Sequence, residues 1–196
     1  MISFTPAAPS FDHPLEMLRA CHGKILRQGE ILQKLAAHLD CHGCDTEAQL
    51  AAQGILRYFE TAGQFHHLDE EENLFPALRA SDEFAQTPLP ALLERLLVEH
   101  VGMLAAWDAL RPVLSLLAAG EQVALDAAVM NDFITRYSDH IAIENAELLP
   151  LVPKLLTLEQ LKTIGQKMAE RRGAKFPTSP ILLPTPLLAT GNLGKC

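Results

Sequence analysis

The chain has 196 residues, 48% of them hydrophobic and 20% charged, enough for one domain with a real core. Its formal net charge of −8 pushes phosphates away and so excludes nucleic acid and anionic membrane as main partners. No charged-then-apolar leader opens the sequence and no apolar run approaches the roughly 20 residues of a membrane span, so a cytoplasmic protein is expected. Its four cysteines, Cys21, Cys41, Cys44 and Cys196, are too few and too clustered for a secreted disulfide framework.

Pro14 suits the first turn of a helix, and Leu15, Leu18, His22, Ile25, Gly29 and Leu32 then recur at three- and four-residue spacing until about His38. After the turn-like stretch from Asp40 to Asp45, Thr46 and Gln49 fit a capping box. The second helix it opens carries Leu56, Phe59, Gly63, His66, Glu70 and Leu74 on one face. Residues 81–90 read as a loop. A third helix, with Leu93, Leu96, Leu97, His100, Leu104 and Trp107 on one face, runs to about Gly120, with Pro112 as the place for a bend. A fourth, from about Gln122 to Leu149, aligns Phe133, Tyr137, His140, Glu144 and Leu148. Thr157 and Gln160 repeat the capping-box spacing, opening a short fifth helix that ends near Gly173. The expected fold is all-α. It is an up-down-up-down four-helix bundle over 12–173, with a short C-terminal fifth helix and a Pro-rich extended tail over 174–196.

Two stretches share one frame. His66 to Pro76 and His140 to Pro150 both read His-x-x-x-Glu with proline six residues after the glutamate, and Phe59 and Phe133 each stand seven residues before the histidine. On a helix, positions i and i+4 differ by about 40° in azimuth and roughly 6 Å in height, so such a pair can reach one ion or two adjacent ions. In antiparallel neighbours, residues equidistant from the connecting turn share a height. His22 lies 18 residues before Asp40 and His66 lies 20 after Thr46, while His100 lies 20 before Gly120 and His140 lies 19 after Glu121. At about 1.5 Å per residue, all four fall within one or two helical turns of a common level. Buried imidazoles and carboxylates gathered at one depth need a partner, and a cation satisfies them together.

Register decides between neighbours. Only His66, not His67, shares the ten-residue distance to proline found for His140, so His67 is a flanking residue. His13 falls on the opposite face of the first helix from His22. Imidazole and carboxylate without thiolate suit iron, manganese or zinc, and two facing clusters suit a dinuclear site with bridging carboxylates. The Glu-x-x-His spacing of ferritin-type bundles is absent.

His22, His66-x-x-x-Glu70 with Leu74-Phe75-Pro76, His100 after Glu99, and His140-x-x-x-Glu144 resemble a hemerythrin-like HHE cation-binding domain over about residues 12–172. The resemblance implies a non-haem di-iron centre bridged by Glu70, Glu144 and one oxo or hydroxo group. His22, His66, His100 and His140 are then terminal ligands, with zinc or manganese as alternative occupants. Oxygen-carrying hemerythrins carry a second histidine four residues after the third-helix ligand and close with His-x-x-x-x-Asp. Here position 104 is leucine and the last motif is His-x-x-x-Glu, which argues against reversible oxygen carriage. The ligand set is similar to that of iron-sulfur repair and iron-sensing members. It implies binding or sensing of dioxygen, nitric oxide or peroxide, or a role in iron, oxidative or nitrosative stress. The alternatives are reduction of nitric oxide or peroxide, and iron storage or donation to iron-sulfur clusters.

Other residues carry simpler expectations. Cys41-His42-Gly43-Cys44 is an inert loop, a reversible disulfide switch or a metal half-site, and Cys21 packs or supports the site as a neighbouring or redox residue. Tyr137, one turn before His140, is a core tyrosine or a hydrogen-bond donor to the site and its ligand, and Asp69 to Glu72 form a solvated acidic face around Glu70.

Overall fold

The computed structural model describes residues 10–177, and every regular element among them is helical. α1 spans Pro14–His42 with Pro14 in its first turn. It runs one turn past the expected His38 because nothing stops it before Gly43, whose φ of +69° ends it. α2 spans Thr46–Phe59. Its cap is Asp45, whose carboxylate accepts from the Ala48 N–H at 3.0 Å, one residue before the expected Thr46 box.

The second leg is not continuous. α2 yields at Glu60 and Thr61 to α3 (Ala62–Asp69), followed by a π turn at Glu70–Leu74 and α4 (Phe75–Arg79). Within the expected loop lie a 3₁₀ turn at Phe84–Gln86 and the start of α5 (Leu89–Ala118), which accepts Pro90 in its first turn and carries Pro112 inside. The fourth leg starts later than expected. Asp126 caps α6 (Ala127–Ile143), and a second π turn follows at Glu144–Leu148. After α7 (Val152–Leu155), the Thr157/Gln160 capping box forms as read and opens α8 (Leu158–Arg171). Residues 174–177 have no regular structure, and the rest of the expected tail lies outside the described residues.

The two π turns share a cause. A proline inside a helix lacks an N–H and crowds the carbonyl four residues earlier. For Pro76 and Pro150 that carbonyl belongs to Glu72 and Ala146, each inside a π turn, where the wider loop relieves the clash. The turns close through Phe75 N–H to Glu70 O and Leu149 N–H to Glu144 O.

α1 packs on α2, α2 on α5, α5 on α6, and α6 back on α1, while α8 lies on α1 and α3. Two apolar clusters fill the ring. One gathers Ile25, Leu32, Ile55, Phe59, Met103, Trp107, Phe133 and Tyr137; the other Leu18, Leu74, Phe75, Leu93, Leu96, Leu148 and Met168. On each leg the motif histidine falls between a residue of one cluster and a residue of the other: Leu18, His22, Ile25 on α1 and Leu96, His100, Met103 on α5.

One face differs from expectation. Leu104 is 56% exposed, and Met103 takes the inward position at 1%. A stripe of 3.6 residues per turn allows either i+3 or i+4, and α5 uses i+3 here. By length and composition α5 is long and apolar enough to cross a bilayer, unlike the other described helices, yet it packs on α2 and α6 and turns His100 inward.

Candidate metal centre

Six side chains enter the layer between the apolar clusters. α1 contributes His22, α3 His66, α5 His100 and α6 His140, while Glu70 and Glu144 each open a π turn. None is more than 5% exposed. The structure thus brings together all six residues singled out from the spacing.

Their ligating atoms form two groups that share both carboxylates. His22, His66, Glu70 and Glu144 make one; Glu70, His100, His140 and Glu144 make the other, and within each all ligating atoms lie within 4.8 Å of one another. Glu70 turns Oε1 to His66 Nε2 at 3.4 Å and Oε2 to His100 Nε2 at 3.6 Å. Glu144 turns Oε2 to His22 Nε2 at 3.1 Å and Oε1 to His140 Nε2 at 3.4 Å. Despite these approaches, His22 Nε2, His66 Nε2 and all four carboxylate oxygens lack a properly aligned hydrogen-bond partner among the described residues. Orphaned buried polar atoms aimed at common spaces are costly in a dry layer, and a cation in each space would satisfy them. The donor set therefore fits a metal.

The far nitrogens of the imidazoles set their tautomers. His100 Nδ1 meets Glu71 Oε1 at 2.6 Å, His140 Nδ1 meets Glu99 Oε2 at 2.8 Å, and His22 Nδ1 meets Asn145 Oδ1 at 3.0 Å. Among the described residues, His66 Nδ1 has no partner. With Nδ1–H donated to these acceptors, Nε2 offers its lone pair inward. His100 Nε2 and His140 Nε2 stand 3.0 Å apart, a spacing that a shared proton or a metal must reconcile.

Without metal the layer shares its charge unevenly. Burial, then the nearby Glu144 carboxylate, pushes Glu70 well above the carboxylate range. Burial acts on Glu144 in the same direction but is outweighed by the His140 and His22 imidazoles, which hold it well below that range. Burial and the imidazole of His140 bring His100 down to about 4. His140 goes the other way: the Glu144 and Glu99 carboxylates overcome its burial and raise it.

Several neighbours differ from their sequence reading. The acids around Glu70 are not a plain solvated face. Asp69 is 1% exposed, paired with Arg171 and, at 2.6 Å, with Arg172, and Arg171 also reaches Glu72. Glu71 orients His100. His67, read as flanking, lies against the centre. Its ring stacks on His100 at 4.3 Å, its Nε2 is buried without a partner, and burial followed by the imidazoles of His100 and His140 lowers it to about 3. Tyr137 is buried among Phe59, Phe133 and the ring of His67, to which it lies parallel at 6.0 Å. Cys41 is exposed and Cys44 buried, both as free thiols, and Cys44 Sγ donates to Leu117 O at 3.2 Å. Sequence reasoning passed over Glu71, Glu99 and Asn145. The available signal was position: each stands next to one of the six, Glu71 and Asn145 one residue after a motif glutamate and Glu99 one before His100.

Comparison with known proteins agrees with this geometry. Residues 13–152 match the pattern of the hemerythrin HHE cation binding domain, a span that holds all six convergent side chains. An uncharacterized protein of Haemophilus influenzae is 31% identical over 166 residues, covering 85% of this chain and 94% of the relative. A cation-binding domain is what the orphaned inward atoms call for, and the chain belongs to the hemerythrin HHE family.

Proposed function

We propose that this chain is a non-haem protein of two iron ions that binds dioxygen, nitric oxide or peroxide, serving as a sensor or stress-response factor. The observation that supports it best is the division of each carboxylate: Glu70 and Glu144 each point one oxygen at each histidine pair. His22 and His66 would hold one ion, His100 and His140 the other, and both glutamates would bridge. The layers met in opposite order on successive legs support the up-down-up-down sense that this pairing needs.

When bound, iron supplies redox electrons and open coordination positions. The chain's own residues do the rest. Exposure of 5% or less admits only small ligands to the six side chains. A surface groove of about 450 Å³ between α1 and α2, lined by Gln28, Leu50, Arg57 and Tyr58, touches none of them. Glu71, Glu99 and Asn145 orient three imidazoles, and the net charge of −8 suits a small uncharged ligand better than a polyanion.

Metal analysis after aerobic purification tests the reading. About two ions per chain are expected, with near-ultraviolet absorption that changes on adding azide. Fewer than one ion per chain after iron reconstitution rejects the site. Turnover of nitric oxide or peroxide under reductant, in place of stoichiometric binding, shifts the assignment to an enzyme.

A further inference from the structure

We propose that the two ends of this centre are unequal by construction: the ion between His100 and His140 binds first and tightly, and the ion between His22 and His66 binds second and exchanges. The inference rests on the dinuclear reading above and concerns how the chain's residues rank its two positions.

The ranking follows from what holds the far side of each ring. At one end both Nδ1 atoms meet carboxylates, Glu71 at 2.6 Å and Glu99 at 2.8 Å. At the other, His22 Nδ1 meets the neutral amide of Asn145 at 3.0 Å, and His66 Nδ1 meets no acceptor among the described residues. A carboxylate accepting Nδ1–H makes the imidazole a more basic ligand, fixes its orientation and adds negative charge beside the cation. An amide supplies orientation alone. His66 has neither, so its ring must be held by packing against His22, 4.8 Å away edge to face, and His67.

The surrounding charge points the same way. α8 packs on α1 and α3, the helices that carry His22 and His66, and brings Arg171 and Arg172 to Asp69 and Glu72. Two cations there cancel two acids. Around His100 and His140, Arg95 alone among the described residues, 2.7 Å from Glu99, offsets the charges of Glu99 and Glu71. The excess negative charge sits at the end whose rings are already the better donors. Solvent moderates the effect, since the Glu71 side chain is 38% exposed and that of Glu99 27%. Those exposures also mean that glutamine at either position adds no buried unpaired group, so the variants should fold.

The consequence is a usable one-ion state. The tight position stays filled while the weak one loads, empties or takes a different divalent metal, without loss of the first ion.

Titration of the metal-free full-length chain with cobalt(II), followed by calorimetry and visible absorption, tests this. Two binding steps are expected, at least about 10-fold apart in Kd. Glu71→Gln and Glu99→Gln should each weaken the first step by about 10- to 100-fold and leave the second nearly unchanged. Asn145→Asp should strengthen the second step, and His22→Ala should abolish it while the first keeps its Kd. Two ions of equal affinity, or Glu→Gln variants that weaken both steps alike, would overturn the inequality and leave the dinuclear reading standing. Uptake of fewer than one ion per chain would overturn both.

Discussion

The aromatic cluster around Phe59, Trp107, Phe133 and Tyr137 and the layer of four histidines and two glutamates share one bundle interior at similar burial. The first is complete by itself: its rings meet edge to face and tilted at centroid distances of 4.8 to 5.9 Å. The second is complete only with something added. Its donors and acceptors approach without pairing, and its two carboxylates cannot both keep their charge. Stability should therefore reside in the aromatic and aliphatic clusters, while the polar layer should cost stability until cations enter it.

Breaking the apolar side should have the largest effect. Phe133→Ala removes a ring that is 1% exposed and should cost about 3–5 kcal/mol in denaturant unfolding, with metal or without. Loss confined to the metal-free form would contradict the division. Next comes removal of metal. A position loaded at 100 times its Kd contributes about 2.7 kcal/mol, so chelation should lower the melting temperature in a way that depends on free metal concentration. Glu70→Gln is the sharper probe. It should abolish loading of both positions yet raise the stability of the metal-free chain by roughly 1–2 kcal/mol, because a buried carboxyl that folding forces to take up a proton is gone.

Acid should expose the same layer in the metal-free protein. His66, His67 and His100 are held below the usual imidazole value of 6.5, so below that pH the unfolded chain binds three protons the folded chain refuses. The raised Glu70 works the other way with a single proton. Stability should therefore fall as pH drops from about 6.5 toward about 4, while the raised His140 acts above that window, where its contribution is lost as pH rises. A metal-free protein whose melting temperature is flat from pH 7 to 5 would contradict this. The smallest effect is expected at position 104. Leu104→His should change stability by less than about 0.5 kcal/mol and leave metal content unaltered, because that side chain faces solvent.

Position 104 also shows where sequence reading stops. Periodicity placed His22, His66, Glu70, His100, His140 and Glu144 on inward faces, since i+4 pairs and helix heights depend on local geometry alone. It put Leu104 inward where the structure puts Met103, because the two straddle the face boundary of α5 and a 3.6-residue period passes between i+3 and i+4. Nor could it find Asp69 buried beneath Arg171, a pair 102 residues apart in sequence, or the carboxylates that hold His100 and His140 from neighbouring legs. Those depend on which helices meet. Starts with strong local chemistry, Pro14 and the Thr157/Gln160 box, were legible; the break at Glu60 and Thr61 and the late start of α6 were not, because the apolar pattern continues across them.

The π turns make the two motif segments intolerant of counting errors. Each glutamate is the last residue to leave the α-helical register before a wide turn, and each proline stands where the narrow register resumes or ends. Inserting one more residue between Glu70 and Pro76, or between Glu144 and Pro150, would exceed the widening that the π turn already takes up and rotate everything downstream by about 100°. Leu74 and Phe75, or Leu148 and Leu149, would swing out of the aliphatic cluster. Substitutions within these five-residue stretches can be absorbed singly, whereas an added residue cannot.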